Sequence, residues 1–254
     1  MADFTDRRVA LMAGTDIPIT ECRLILHQPT IKEISFLGET VFFTGIQTLT
    51  LHKSMFVQHQ GKDVLDNVNN FQIFMTVMND NETKEKKENV KMVLKLLFPN
   101  YSIIFSPQSL IFQPQENDSS DNNEAIIIDT TNFEILQSIL RDVFCLKTGP
   151  MDQTAFNPIN EQAKEIADKL MRGRQRVAQQ KGTANTSVFS LYISILTVGL
   201  HSMSLHDLLN CTVYQLYDLM ERYSLYLTWD IDVRTRLAGG KPDSQPENWM
   251  KNIH

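Results

Sequence analysis

Residues 188–200 read VFSLYISILTVGL, and two periods fit them. Phe189, Leu191, Ile193 and Ile195 alternate as a half-buried strand would, whereas Leu191, Ile195 and Val198 recur at helical spacing. The flanks select the helix: capping-type residues stand before the run at Thr186 and Ser187, and helical patterns surround it. With this run helical, the pattern from residue 131 onward is helical and strands are confined to the first half of the chain. The expected fold class is therefore α+β and predominantly helical. It comprises a small mixed region over residues 1–146 with a few strands, a linker at 147–157 and an all-helical region over 158–254 that ends in a long helix and an extended tail. Residues 182–206 carry no Asp, Glu, Lys or Arg, but their strongly apolar part is shorter than the roughly 20 residues that span a bilayer. Ser190, Tyr192 and Ser194 interrupt it, so a buried core element is expected and not a membrane span.

Downstream, Ser204 is placed to cap LHDLLN, and Thr212 with Gln215 has capping-box spacing ahead of a helix from Val213 to Leu237. Gly239 and Gly240 end that helix, and Pro242 and Pro246 prevent its return. Along it, Val213, Leu216, Met220, Tyr223, Leu227 and Ile231 keep one seam at spacings of three or four, which is expected to face the core. A second set, Tyr214, Tyr217, Leu225, Trp229 and Val233, lies off that seam, and NWMKNI adds Trp249 and Met250 beyond the prolines. A helix apolar on more than one face is deeply buried or binds something. Eleven methionines are generous for 254 residues, and the unbranched thioether adapts to varied apolar partners. The candidate partner-binding residues are accordingly Tyr214, Tyr217, Met220, Leu225, Trp229, Trp249 and Met250.

Towards the amino terminus, IPITECRLILHQP reads as a strand over about residues 19–27, ended by Pro29. Thr30 and Glu33 have capping-box spacing for a helix from Ile31 to Leu51, weakened at Gly38 and Gly45. A short helix burying Phe71, Phe74, Met75 and Met78 follows, then a helix in the mixed-charge run stopped by Pro99. YSIIFSPQSLIFQ suggests a hairpin and AIIID a further strand, with a polar loop at 114–124 between them. Thr131 and Glu134 suggest another capping box, opening a helix with Phe133, Leu136, Ile139 or Leu140, and Val143 inward. Asn157 and Pro158 start a helix that runs to about Gln180.

Charge and motifs restrict the function classes. The net charge is −6, and Glu116, Asp118, Asp121, Glu124, Asp129 and Glu134 supply a local excess equal to all of it. No overall field therefore attracts nucleic acid or anionic lipid. The most basic stretch, 164–181, reads as the solvated face of a helix, with contact to an acidic partner or RNA as the functional alternative. The three cysteines, Cys22, Cys145 and Cys211, are odd in number and scattered, which fits a reducing cytosol, and the first residues lack the pattern of a secretory signal. His201 and His206 are five apart, so no metal-ligand spacing is expected; neither G-x-G-x-x-G nor a P-loop occurs. His206 and Asp207 near Cys211 come closest to a nucleophile set, with no elbow or oxyanion-hole glycine run beside them. The expectation is a protein without catalytic residues, cofactor or metal.

Three stretches carry a family resemblance: IPITECRLILHQPTIKEISFLGE, VFSLYISILTVGLHSMSLHDLLNCTVYQLYDLMERY and WDIDVRTRLAGGKPDSQPENWMKNIH. The chain resembles the tail assembly chaperones of long-tailed bacteriophages of Gram-positive hosts. The resemblance implies a non-enzymatic protein of the host cytoplasm that holds the long helical tape measure protein soluble until tail-tube protein displaces it. It carries no diagnostic functional residue across. Its partners would be the tape measure protein, the tail-tube protein and other copies of the chain, with neither nucleic acid nor membrane. The alternative is a structural virion component, namely a tail, baseplate or connector subunit.

Overall fold

The computed structural model describes residues 4–53, 68–80, 84–106, 108–115, 124–146, 187–240 and 249–250. The fold is α+β and mostly helical, with the strands in the amino-terminal half. Helix α1 (Phe4–Ala13) leads into strands β1 (Ile17–Ile19) and β2 (Leu24–Leu26), which pair antiparallel with Ile17 opposite Leu26. The expected single strand over 19–27 is thus a hairpin shifted towards the amino terminus. A 3-10 turn at Thr20–Cys22 reverses the chain, and Arg23 takes the left-handed conformation at φ 53°. Both strands alternate inward and outward, so Ile17, Ile19, Leu24 and Leu26 all enter the core.

Thr30 caps the next helix as its spacing requires. Its hydroxyl accepts from the Glu33 amide at 3.2 Å while the Glu33 carboxylate accepts from the Thr30 amide at 2.7 Å. The helix expected over 31–51 is divided, however, into α2 (Ile31–Leu37) and α3 (Glu39–Leu49). Gly38 lies between them at φ 97°, a conformation glycine adopts without the penalty a Cβ would impose. Helix α4 (Asn70–Asn79) buries Phe71, Phe74, Met75 and Met78, and α5 (Lys84–Leu97) turns Val90, Val93, Leu94 and Leu97 inward from its charged face. Helices α3 and α5 meet at Gly45, whose missing side chain makes room for Val93.

The strands β3 (Tyr101–Ser106), β4 (Ser109–Pro114) and β5 (Ile126–Ile128) form an antiparallel sheet in the order β3-β4-β5. Leu110, Phe112 and Ile128 line its inner face, and Ile104, Ile111 and Ile127 share a cross-strand row on its outer face. Helix α6 (Phe133–Val143) has Asn132 at its N-cap position, one residue later than the expected Thr131. Local side-chain bonds have pre-empted that cap: Asp129 accepts from the Thr131 amide and Asn132 accepts from the Asp129 amide, each at 2.8 Å. Glu134 instead accepts from Asn70 of α4 at 3.4 Å. Phe133 stacks on Phe74 with centroids 5.0 Å apart and meets Phe71 edge-on at 5.1 Å, joining α4 to α6.

The linker expected at 147–157, the helix expected at 158–180, the basic stretch 164–181 and Pro242 and Pro246 lie outside the described residues. Beyond the gap, 188–200 is helical: α7 (Val188–Gly199), with the Ser187 side chain accepting from the Ser190 amide. Helices α8 (Leu205–Leu209) and α9 (Val213–Leu237) follow; α9 has the capping box its spacing predicts, and at α8 the expected Ser204 cap is completed into a box by Asp207. This helical part shares one hydrophobic core with the mixed part. Phe189 packs on Phe43 with centroids 5.2 Å apart, Thr30 and Thr212 form an antiparallel bridge, and the Ile31 amide donates to the Cys211 carbonyl at 2.9 Å.

Candidate protein-interaction surface on the terminal helix

Helix α9 changes character along its 25 residues. Its first turns are anchored: Gln215 reaches back to the Thr212 amide at 2.8 Å and donates to the Met12 carbonyl of α1, also at 2.8 Å. Val213, Tyr214 and Leu216 are buried, as is Asp218, whose carboxylate is bound by Arg222 at 2.8 Å. Tyr217, half-buried, meets Tyr192 of α7 edge-on at 5.3 Å, and burial pushes its phenol up to about 12. Leu219, Met220 and Tyr223 still touch the core, and Tyr223 occupies the space that a side chain at Gly199 would fill. Asp218 is the last buried residue of the helix. Past Tyr223, Leu225, Trp229 and Val233 are half-buried, and Tyr226, Leu227, Ile231 and Leu237 are exposed, Ile231 by 61% and Leu237 by 83%.

The two apolar faces differ in what covers them. On one flank Tyr226 packs against Trp229 at 6.2 Å, and Trp249 lies edge-on to Tyr226 at 5.7 Å. The other flank continues the seam Val213, Leu216, Met220, Tyr223, which is covered at its beginning and becomes exposed at Leu227, by 38%, and at Ile231. The expected roles of the faces are therefore partly reversed. Tyr214 is 3% exposed and belongs to the core, a correction to its place in the candidate set. Tyr217 and Met220 pack within the molecule, Leu225, Trp229 and Trp249 are half-buried, and Met250 is exposed. Leu227 and Ile231, expected inside, are outside. Element lengths carry the signal for this: α7 has 12 residues and cannot cover a neighbour of 25. Helix α7 also presents Val188, Leu191 and Val198 to solvent along one side.

The residues that came closest to a nucleophile set are engaged elsewhere. Asp207 accepts from the Ser204 hydroxyl and amide, His206 contacts Asn210 at 3.0 Å, and burial pushes the Cys211 thiol up. Burial likewise holds Cys22 at about 11 and Cys145 at about 12, so all three thiols stay protonated near neutrality.

The region of the chain that holds α7 to α9 is also the region that a family model recognises. Residues 183–254 match the YomV second domain. YomV is a phage-encoded protein, so what the helical segment is similar to is a domain of a phage protein. The match takes in less than a third of the chain. No curated protein and no solved structure matches the sequence. Among the described residues, no helix is long and apolar enough to cross a membrane.

Proposed function

We propose that the protein is a non-enzymatic phage tail assembly chaperone that binds the tape measure protein along the distal half of α9 and keeps it soluble until tail-tube polymerisation. The observation that carries this reading is the exposed seam: Leu227 and Ile231 prolong a core-packing line onto roughly 20 Å of helix beyond the last core contact at Tyr223 among the described residues. Apolar side chains displayed along one side of a long helix suit a long helical client, because knobs of one helix seat between residues of another at the same spacing. The similarity of residues 183–254 to a domain of a phage protein supports the biological setting, as does the resemblance to tail assembly chaperones.

Co-expression with the tape measure protein of the same phage tests it. The native chain should keep the client in the soluble fraction, and Leu227→Asp with Ile231→Asp should lose it while the chaperone itself stays folded. Undiminished client solubility with that double variant removes the proposed surface. The rival assignment, a structural tail, baseplate or connector subunit, is decided by mass spectrometry of purified particles: a chaperone is absent, and a stoichiometric amount overturns the chaperone reading.

A further inference from the structure

His27 stands where four segments of the chain meet. It follows β2, and its amide donates to the Leu97 carbonyl at the end of α5 at 2.9 Å. Its side chain, 29% exposed, lies between two carboxylates: Nδ1 is 2.9 Å from Asp16, just ahead of β1, and Nε2 is 3.4 Å from Glu33 on α2. Among the described residues these two are the charged side chains within ion-pair distance of the ring. Glu33 serves two partners because it divides its oxygens. Oε2 accepts from the Thr30 amide and hydroxyl, completing the cap of α2, and Oε1 faces His27.

A neutral imidazole has one N–H and one lone pair, so it donates to one carboxylate while its other nitrogen repels the second. Only the doubly protonated ring donates to both. We propose that His27 is a proton-dependent clasp: charged, it ties the β1–β2 hairpin to α2 through Asp16 and Glu33, and on losing a ring proton it lets go of α2. Release falls on the α2 side because the Asp16 contact is the shorter one and Glu33 keeps its bonds to Thr30. The clasp acts close to the root of the long helix, since Thr30 bridges Thr212 and the Ile31 amide donates to the Cys211 carbonyl at 2.9 Å. It needs ionised carboxylates and a charged ring together, so its hold is complete in weakly acidic solution and is lost as rising pH deprotonates the ring.

Nuclear magnetic resonance of the full chain tests this without any client. Long-range proton–nitrogen correlation of the histidine rings should show both His27 nitrogens protonated at about pH 7. Asp16→Asn with Glu33→Gln removes both charges yet keeps the cap, because glutamine serves in a capping box as glutamate does, and it should leave the ring mostly neutral at the same pH. Exchange of the Ile31 amide, relative to that of an unstructured peptide, should quicken about two- to fivefold between roughly pH 6 and 8 in the native chain, the range one exposed ion pair allows. In the double variant it should stay level across that interval. A native ring with a single proton at about pH 7, a ring whose protonation ignores the two substitutions, or native Ile31 exchange that stays level each overturns the proposal.

Discussion

Gln137 shows what one side chain does here that no apolar residue could. It is fully buried on α6, and its amide nitrogen donates to the carbonyls of Leu49 at 2.8 Å and Leu51 at 2.9 Å, while Arg141 donates to Thr50 at 3.1 Å. These are the carbonyls left over where α3 ends, which otherwise need water or a glycine cap. Gln137→Leu keeps the volume but strips two buried acceptors, so a loss of about 1 to 3 kcal/mol is expected in chemical denaturation. A change below about 0.5 kcal/mol would mean that those carbonyls find other donors. Glu33 offers a test in pH. Burial alone would raise its pKa, but the hydrogen bonds from Thr30 and the neighbouring His27 ring outweigh that and hold it below its ordinary 4.5. A carboxylate depressed in the folded state adds stability that is present above its unfolded value and is lost as pH falls through the folded one. Stability should therefore decline as pH drops below about 4.5, and Glu33→Gln should flatten part of that decline. Denaturant midpoints at a series of acid pH values, native against variant, measure the difference; parallel curves would assign the acid sensitivity elsewhere.

Among the elements, the crossing of α3 and α5 is the tightest contact with a single-residue cause. A Cβ at Gly45 would lie 2.5 Å from the Val93 side chain and 3.0 Å from the Asn89 carbonyl. Gly45→Ala should cost about 1 to 3 kcal/mol by overpacking, even though alanine is the better helix former. Adding Val93→Ala should recover part of the loss, and a melting temperature for Gly45→Ala equal to that of the native chain would show that the helices can separate freely. The glycine at this crossing reads in the sequence only as a weak point in a helix, because its partner lies 48 positions away along the chain. The same distinction runs through the fold. Capping boxes at Thr30 and Thr212 were legible because donor and acceptor are three residues apart, whereas at Ser204 the cap was legible and the reciprocal bond from Asp207 was not. Thr131 misled because Asp129 and Asn132, equally local, compete for the same backbone groups. The turn at Thr20–Arg23 was invisible because it contains neither glycine nor asparagine, yet Arg23 sits at φ 53°. The division of α2 from α3 was half legible, since Gly38 was read as a weakness although not as a break. The candidate surface divides likewise: the two apolar faces of α9 follow from spacing, but which face is covered depends on where α7 stops.

For the molecule as a whole, the consequence is a body stabilised by one continuous core and a helical arm that adds little to it. The core runs through both halves of the described chain and reaches α9 only as far as Leu216 among its fully buried apolar side chains. Burial decides the cost of a substitution far more than residue type does, so two positions on one seam should behave oppositely. Leu216→Ala removes a side chain that is 0% exposed and leaves a cavity, for which about 2 to 5 kcal/mol is expected. Ile231→Asp, on the same seam but 61% exposed, should change unfolding free energy by no more than about 0.5 kcal/mol. The measurement belongs at the lowest workable protein concentration, because any association that buries the arm would add apparent stability by mass action. Under those conditions a large loss from Ile231→Asp would mean that the arm is folded back onto its own subunit. The surface would then be unavailable to a client. A small loss in dilute solution that grows as protein is added would instead tie the arm's apolar seam to association, and the concentration at which it grows would measure that association directly.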